Sequence, residues 1–296
     1  STHCISSAAS DVYKRQMIKF RPVSNRVMLS VSLVLLIFSF GTAQARTFKI
    51  ATVSPDGLAW MKQLREGTKE IEARTNGRVQ FMIYPGGVQG NDNTVLRKMR
   101  IGQLHGGVVA TGSLIRFNRD LQLYNLPLKF RDMNEVDHVR KQMDQQLAQT
   151  LEEEGIVSFH LIETGFAYLM SREPVQSVAE LRNLKTWVPE KDEMSARILQ
   201  AFDVSPIPLH LIDVLTGLQT GTIDAVVAPP IVALALQWHN QLKYITDVPL
   251  MYIYSTLMLD KKTFSRLSDE DQAVVREVMN RVFKNCLLYT SPSPRD

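Results

Sequence analysis

Two series of short apolar runs and amphipathic helical patterns follow one another along the chain. The β-branched run from Thr47 to Val53 is typical of a strand, and apolar residues at steps of three and four predict a helix over 57–75. The first series continues with a strand over 79–84, a helix over 91–102 and a strand over 107–111. This β-α-β-α-β order favours a parallel sheet with helices on both faces.

A second series of similar size opens after helices over 132–154. It alternates strands over 156–162, 168–171, 185–188, 206–209 and 223–228 with helices over 177–183, 192–202, 211–220 and 230–239. A late strand over 251–259 suits a passage back between lobes, and Ser268 is placed to cap a final helix. We therefore expect an α/β fold of two lobes with a ligand cleft between them. The first lobe would take 46–165 plus part of the C-terminal region, and the second 166–250.

The residues that precede the first series read as a secretory signal peptide over 17–45. A basic stretch after Met17 leads into an uncharged segment from Val27 to Ala45, which closes on a small-x-small cleavage site. The competing interpretation is a retained membrane anchor, but the strongly apolar part stops near Phe40, short of the ~20 residues that a span needs. The pattern predicts export to the periplasm.

Charge and cysteine content look different once the two flanks are set aside. Residues 1–16 and 286–296 resemble translated adapter sequence, so we expect both to be non-native extensions. They and the signal peptide hold both cysteines, six of the 34 Lys and Arg, and two of the 30 Asp and Glu. The stretch 46–285 then carries 28 charges of each sign and no thiol, although the whole chain is at +4. Without a basic excess, a nucleic-acid partner is not expected.

The chain offers no clear catalytic or metal-binding motif. Its six histidines match no metal-ligand spacing, and the Gly-Ser step at Gly112-Ser113 lacks the second glycine of a nucleophile elbow. The glycines of 86–90 lack the order of a phosphate-binding loop. We therefore expect no metal, no cofactor and no enzyme, with a secreted α/β enzyme kept as the less favoured alternative to a solute receptor that closes by hinge motion.

Five stretches of the chain carry a family resemblance. They are Tyr84 to Asp92, Arg97 to Leu104, Leu126 to Arg131, Leu184 to Pro189 and Leu218 to Ala225. In this order, and over about 48–283, they resemble the solute receptors of tripartite ATP-independent periplasmic (TRAP) transporters, a dicarboxylate-receptor-like family. The resemblance implies two α/β lobes bridged by long elements, a carboxylate-bearing solute, and membrane permease subunits as partners.

The positions matched to the family's pocket depart from its pattern. Trp187 stands where the family usually has the arginine that clamps the ligand carboxylate, and Ala167 stands in place of a second arginine. Ala228 replaces the usual amide. A carboxylate would then be held by helix N-termini and backbone N–H groups, or the ligand would present an apolar or hydroxylated body instead. The solute is expected to be an organic acid, with a less acidic, apolar or aromatic ligand as the alternative.

The predicted ligand contacts come from both lobes. For Trp187, a core tryptophan competes with an indole that stacks on the ligand and offers one N–H donor, and for Asp56 a helix N-cap competes with a ligand contact. Thr111 follows a strand end and would present its hydroxyl to the cleft, whereas His210 is not expected to touch the ligand. The full set of expected contacts is Asp56, Trp60, Asn91, Thr111, Glu163, Ala167, Trp187, Leu211 and Ala228.

Overall fold

The computed structural model describes residues 45–286, and side chains as far as Lys284. The predicted extension over 1–16 lies outside the described residues, as does the predicted signal peptide over 17–45 apart from Ala45. The predicted extension over 286–296 also lies outside them, except for Cys286 at the end of the last helix. Among the described residues, no helix is long and apolar enough to cross a membrane.

The first lobe is built on three parallel strands. These are β1 (Arg46–Thr52), β2 (Val79–Tyr84) and β3 (Gly106–Ala110), with β1 in the middle. Its helices are α1 (Ala59–Arg74), α2 (Asp92–Arg100), α3 (Met133–Glu153), α8 (Lys261–Phe264) and α9 (Asp269–Cys286). Gly67 of α1 lets α9 pack closely, because a Cβ at this position would lie 2.7 Å from Cγ2 of Val282. Helices α1 and α9 thereby cover one face of the sheet.

Two long antiparallel strands connect the lobes. Strand β5 (Ile162–Ser171) pairs with β9 (Tyr244–Asp260) over most of its length. Strand β9 also pairs with β3 and with the short strand β4 (Ile156–Ser158). The sheet is therefore mixed, and the expected parallel order holds only within each lobe. Because β5 and β9 run through both lobes, the predicted lobe boundaries near 165 and 250 stay a prediction.

The second lobe continues the same nine-stranded sheet. Beyond β5 come β8 (Ala225–Ala228), β6 (Thr186–Pro189) and β7 (Pro206–Leu209), with β6 and β7 parallel. Its helices are α4 (Val178–Leu181), α5 (Glu193–Ala201), α6 (Val214–Thr220) and α7 (Pro230–Ala235). Trp238 and Trp187 pack edge to face in the core of this lobe, with ring centroids 5.4 Å apart. The α/β two-lobed fold is as expected from the alternation of patterns.

The sequence pattern misplaces the crossing strands and places most helices correctly. Of the expected strand over 156–162, only 156–158 form β4, and Ile162 begins β5. The expected strand over 168–171 is the end of β5. Strand β9 begins seven residues before the expected start at 251, since its first residues are largely exposed and show no apolar run. The expected cap of α9 is confirmed, because the N–H of Asp271 donates to Oγ of Ser268 at 3.1 Å.

Candidate ligand-binding cleft

A cleft of about 1130 Å³ opens between the two lobes. The carboxyl ends of β1 and β3 and the start of α2 form its first wall, and the loops after β6, β7 and β8 form its second wall. Strands β5 and β9 form the floor. Loops at the carboxyl ends of parallel strands therefore face each other across the crossing strands, which is where α/β sheets bind ligands.

The first wall includes the N-terminus of α2. Asn91 caps the helix, since its Oδ1 accepts from the N–H of Thr94 at 3.0 Å. Asp92 accepts from the N–H of Ala110 at 2.9 Å and from the hydroxyl of Ser113 at 3.1 Å, both through Oδ2. Its Oδ1 is buried without a hydrogen-bond partner among the described residues, and burial raises the pKa of Asp92 to about 6. Asp92 thus ties α2 to the segment that follows β3.

Beneath the floor lies a buried ionic and aromatic cluster. Arg140 of α3 forms ion pairs with Glu163 of β5 and with Asp144, and its guanidinium lies 4.9 Å from the ring centroid of Tyr254. The hydroxyl of Tyr252 donates to Glu163. Burial raises the pKa of Glu163, against the opposing effect of Arg140. The carboxylate that lines the cleft is therefore held in place from α3 and from β9.

On the second wall, the residues at the positions matched to the family's pocket are apolar. Trp187, Leu211 and Ala228 all line the cleft. The indole N–H of Trp187 donates to the carbonyl oxygen of Leu209 at 3.0 Å, so it is not a free donor for a ligand, and that part of the prediction is wrong. Trp187 is 5% exposed and belongs to the core of the second lobe, so only a small part of this anchored residue reaches the cleft.

Six of the nine expected contact residues lie in the cleft lining and three lie elsewhere. Those that line it are Trp60, Asn91, Glu163, Trp187, Leu211 and Ala228. Asp56 lies outside it, where its carboxylate forms two hydrogen bonds to Arg65, the shorter at 2.7 Å. The alternative role of Asp56 as a helix cap is also wrong, because the N-cap of α1 is Leu58.

Thr111 and Ala167 are buried rather than exposed to the cleft. The hydroxyl of Thr111 donates to the carbonyl oxygen of Tyr254 at 3.4 Å, and the residue has no exposed surface. Ala167 is also fully buried, paired with Met251 in the centre of the sheet. Both side chains are buried, which neither a position after a strand nor a family match reveals.

The structure adds polar lining residues that the sequence did not single out. Arg116 follows the 3-10 helix Thr111–Leu114, and Lys191 lies in the turn between β6 and α5. His210 also lines the cleft, with its Nδ1 3.2 Å from Oε2 of Glu190, and its expected lack of ligand contact stays a prediction. These residues lie in loops, where no periodic pattern marks a side chain as facing the cleft. Within residues 45–284, no three His, Cys, Asp or Glu side chains are grouped so as to hold a metal ion.

A family model matches most of the chain. Residues 50–286 match the model described as DctP, bacterial extracellular solute-binding protein, family 7. Among curated proteins, the 2,3-diketo-L-gulonate-binding periplasmic protein YiaO of Escherichia coli K12 is 26% identical over 68% of this chain and 62% of YiaO. Solute-binding protein RD1_1052 of Roseobacter denitrificans is 24% identical over 82% of this chain and 74% of that protein. The chain thus spans less than two thirds of YiaO.

Solved structures share the fold. A TRAP periplasmic solute-binding protein from Sulfitobacter sp. NAS-14.1, with bound β-D-galacturonate, superposes with a TM-score of 0.76 at 18% identity, covering 82% of each chain. The extracytoplasmic solute receptor DctP7 of Bordetella pertussis, which binds pyroglutamic acid, also has a TM-score of 0.76, at 20% identity over 83% of this chain and 81% of that one. At these identities the likeness establishes the two-lobed fold and leaves the solute open.

Proposed function

Because the chain belongs to bacterial extracellular solute-binding protein family 7, we propose that it is an extracytoplasmic receptor that binds a small organic acid in the interlobe cleft. The observation that carries this proposal is the cleft itself, which two lobes joined by a pair of crossing strands enclose from both sides. Such an arrangement suits closure of the lobes around a solute by hinge motion. Its volume of about 1130 Å³ is ample for a molecule of this size.

The solute class follows from relatives and from the lining together. The related proteins are named for 2,3-diketo-L-gulonate, or were solved with β-D-galacturonate or pyroglutamic acid, and each of these is a small carboxylate. The second wall of this chain presents Trp187, Leu211 and Ala228, so the solute would turn an apolar face toward it. An acid with an aromatic or otherwise apolar body fits this wall better than one that is hydroxylated on every side.

We further propose a periplasmic location and a membrane permease of the TRAP type as the partner. Relatives are named as periplasmic binding proteins, and the predicted signal peptide over 17–45 agrees with export. A receptor that closes around its solute offers a different surface from the open form, so a membrane permease of the TRAP type would recognise the loaded, closed state. We propose binding and delivery, with no chemical change to the solute.

A ligand screen tests this function. The protein purified from the periplasm is melted in the presence of D-glucuronate, D-galacturonate, L-gulonate, D-erythronate, pyroglutamate, orotate, succinate and phenylacetate, each beside its uncharged primary amide. A solute that binds only the folded protein raises Tm according to its concentration relative to Kd. We expect at least one acid to raise Tm well above its amide. Stabilisation by amides alone would contradict an acid receptor, and consumption of the bound acid on long incubation would indicate an enzyme.

A further inference from the structure

Every carboxylate in the cleft lining already has a partner. Glu163 forms an ion pair with Arg140. Oε2 of Glu190 lies 3.2 Å from Nδ1 of His210. The others act at helix N-termini: Asp92 accepts from Ala110 and Ser113, Asp192 accepts from the N–H of Ser195 at 3.1 Å, and Glu193 pairs with Arg197 at 3.6 Å. Their negative charges are balanced within the protein by cations, by hydrogen-bond donors or by a helix dipole.

The two side chains of the lining that are always cationic have no such partner. Neither Arg116 nor Lys191 forms an ion pair or a side-chain hydrogen bond within residues 45–284. The guanidinium of Arg116 lies over the ring of Phe117, 4.6 Å from its centroid. Partial desolvation and the nearby Arg100 both lower the pKa of Arg116, as expected where no acid balances the positive charge.

These two cations are on opposite walls of the cleft. Arg116 belongs to the first lobe, next to the residues that follow β3, and Lys191 belongs to the second lobe, in the turn between β6 and α5. Both side chains are exposed, so neither is needed to fill a core. Their common feature is a position beside the space that a solute would occupy.

We propose that Arg116 and Lys191 form a two-sided clamp for the carboxylate of the solute, Arg116 from the first lobe and Lys191 from the second. This rests on the proposed receptor function and identifies the groups that would recognise the acid. Arg116 supplies the planar, two-pronged donor set that matches a carboxylate, and Lys191 supplies a point charge. The clamp explains how an acid is held although Trp187 and Ala167 occupy the positions matched to the family's arginines.

The clamp also couples binding to closure. In the empty cleft, bringing two like charges together while water leaves is unfavourable, so the open form is preferred. A carboxylate between them changes repulsion into attraction on both sides. Closure is then favoured by an acid and not by its uncharged amide, which gives the receptor a means of presenting only the loaded form to a permease.

The test uses a cycle of variants and ligands. The variants are Arg116→Gln, Lys191→Gln and the double variant, with Arg119→Gln and Lys243→Gln as matched controls, since both control residues are exposed and lie outside the lining. The probes are the tightest-binding acid of the panel above and its primary amide. Affinities are measured by calorimetry on the protein purified from the periplasm.

We expect Arg116→Gln to weaken the acid by about 10- to 100-fold, as for loss of a charge-assisted hydrogen bond, and Lys191→Gln to weaken it by at least about 3-fold. The amide should bind these variants at least as tightly as it binds the wild type, because the repulsion between the two cations is removed. The two controls should bind the acid normally. Unchanged acid affinity in the double variant would overturn the clamp, as would equal weakening of acid and amide, which indicates a general structural role. If the wild type binds none of the acids, the receptor function itself fails, which is a distinguishable result.

Discussion

The carboxylate of Asp92 gives a sharp test of how the first wall of the cleft is held together. Its Oδ1 is buried without a partner while Oδ2 accepts two hydrogen bonds, and the pKa is raised to about 6 from an ordinary value of 3.8. A group whose pKa is raised on folding contributes stability that is fully present below the unfolded pKa and is lost as the pH rises through the folded pKa. Ionisation of Asp92 therefore destabilises the fold between about pH 4 and pH 6.

The magnitude follows from the two pKa values. A rise from 3.8 to about 6, at about 1.4 kcal/mol per pH unit, corresponds to about 2 to 3 kcal/mol of unfolding free energy lost between pH 4 and pH 7. Asp92→Asn removes the titration. The difference in unfolding free energy between Asp92→Asn and the wild type should consequently move in favour of the variant by that amount over this range.

Urea denaturation at half-unit steps from pH 4 to pH 7 measures this difference directly. Other titrating groups, such as Glu163, are common to both proteins and cancel in the comparison. Asp247→Asn is the matched control, because Asp247 is exposed and lies outside the lining. Stability curves of Asp92→Asn and wild type that run parallel across the whole range would refute the assignment of a buried, poorly satisfied carboxylate.

Three further substitutions test the cluster beneath the floor, the second wall of the cleft and the cap of α9. Arg140→Met should cost about 3 to 5 kcal/mol of unfolding free energy in urea at pH 7, since Glu163 is then buried without its cation, and a loss below about 1 kcal/mol would contradict the buried pair. Trp187→Phe should cost about 1 kcal/mol by leaving the carbonyl of Leu209 without its donor, and should change acid and amide affinity alike. Ser268→Ala should cost about 1 kcal/mol, measured by thermal unfolding, whereas Ser268→Asp should retain the cap.

The alternation of patterns along the sequence determines most of the fold. Strand β2 and strand β7 have the expected bounds, and Ser268 caps α9 as expected, because local spacing and capping chemistry act within a few residues. The crossing strands were harder to predict. The first residues of β9 are largely exposed, and β5 carries two register shifts, so neither strand presents an unbroken period of two.

Only part of the candidate site could be predicted from the sequence, because whether a side chain faces the cleft depends on the surrounding tertiary structure. Glu163 and Trp187 lie at strand positions whose alternation turns them toward the cleft, and both were identified. Ala167 matches a family position and Thr111 follows a strand end, but both are buried, because burial depends on the pairing and packing around each residue. Arg116 has no periodic context at all, and its importance emerges only once the partners of every lining charge are known.

The count of charged residues in the cleft lining is a poor guide to the charge of the solute, because most of these charges already have partners within the protein. The lining contains more carboxylates than permanent cations, which on its face suits a cationic solute. Each carboxylate has a partner, however, and the unpartnered charges within residues 45–284 of the lining are the cations Arg116 and Lys191. Local neutralisation, not composition, decides the preferred charge of the solute.

Titration calorimetry of the purified protein, with the acids of the panel and their amides, tests the central claim most directly. A receptor for a small organic acid should bind one or more of the acids with one solute per chain and micromolar or tighter affinity, and should bind the corresponding amide at least about 10-fold more weakly. Saturable binding of an amide as tight as that of its acid, or the absence of one-to-one binding by any acid, would contradict the account.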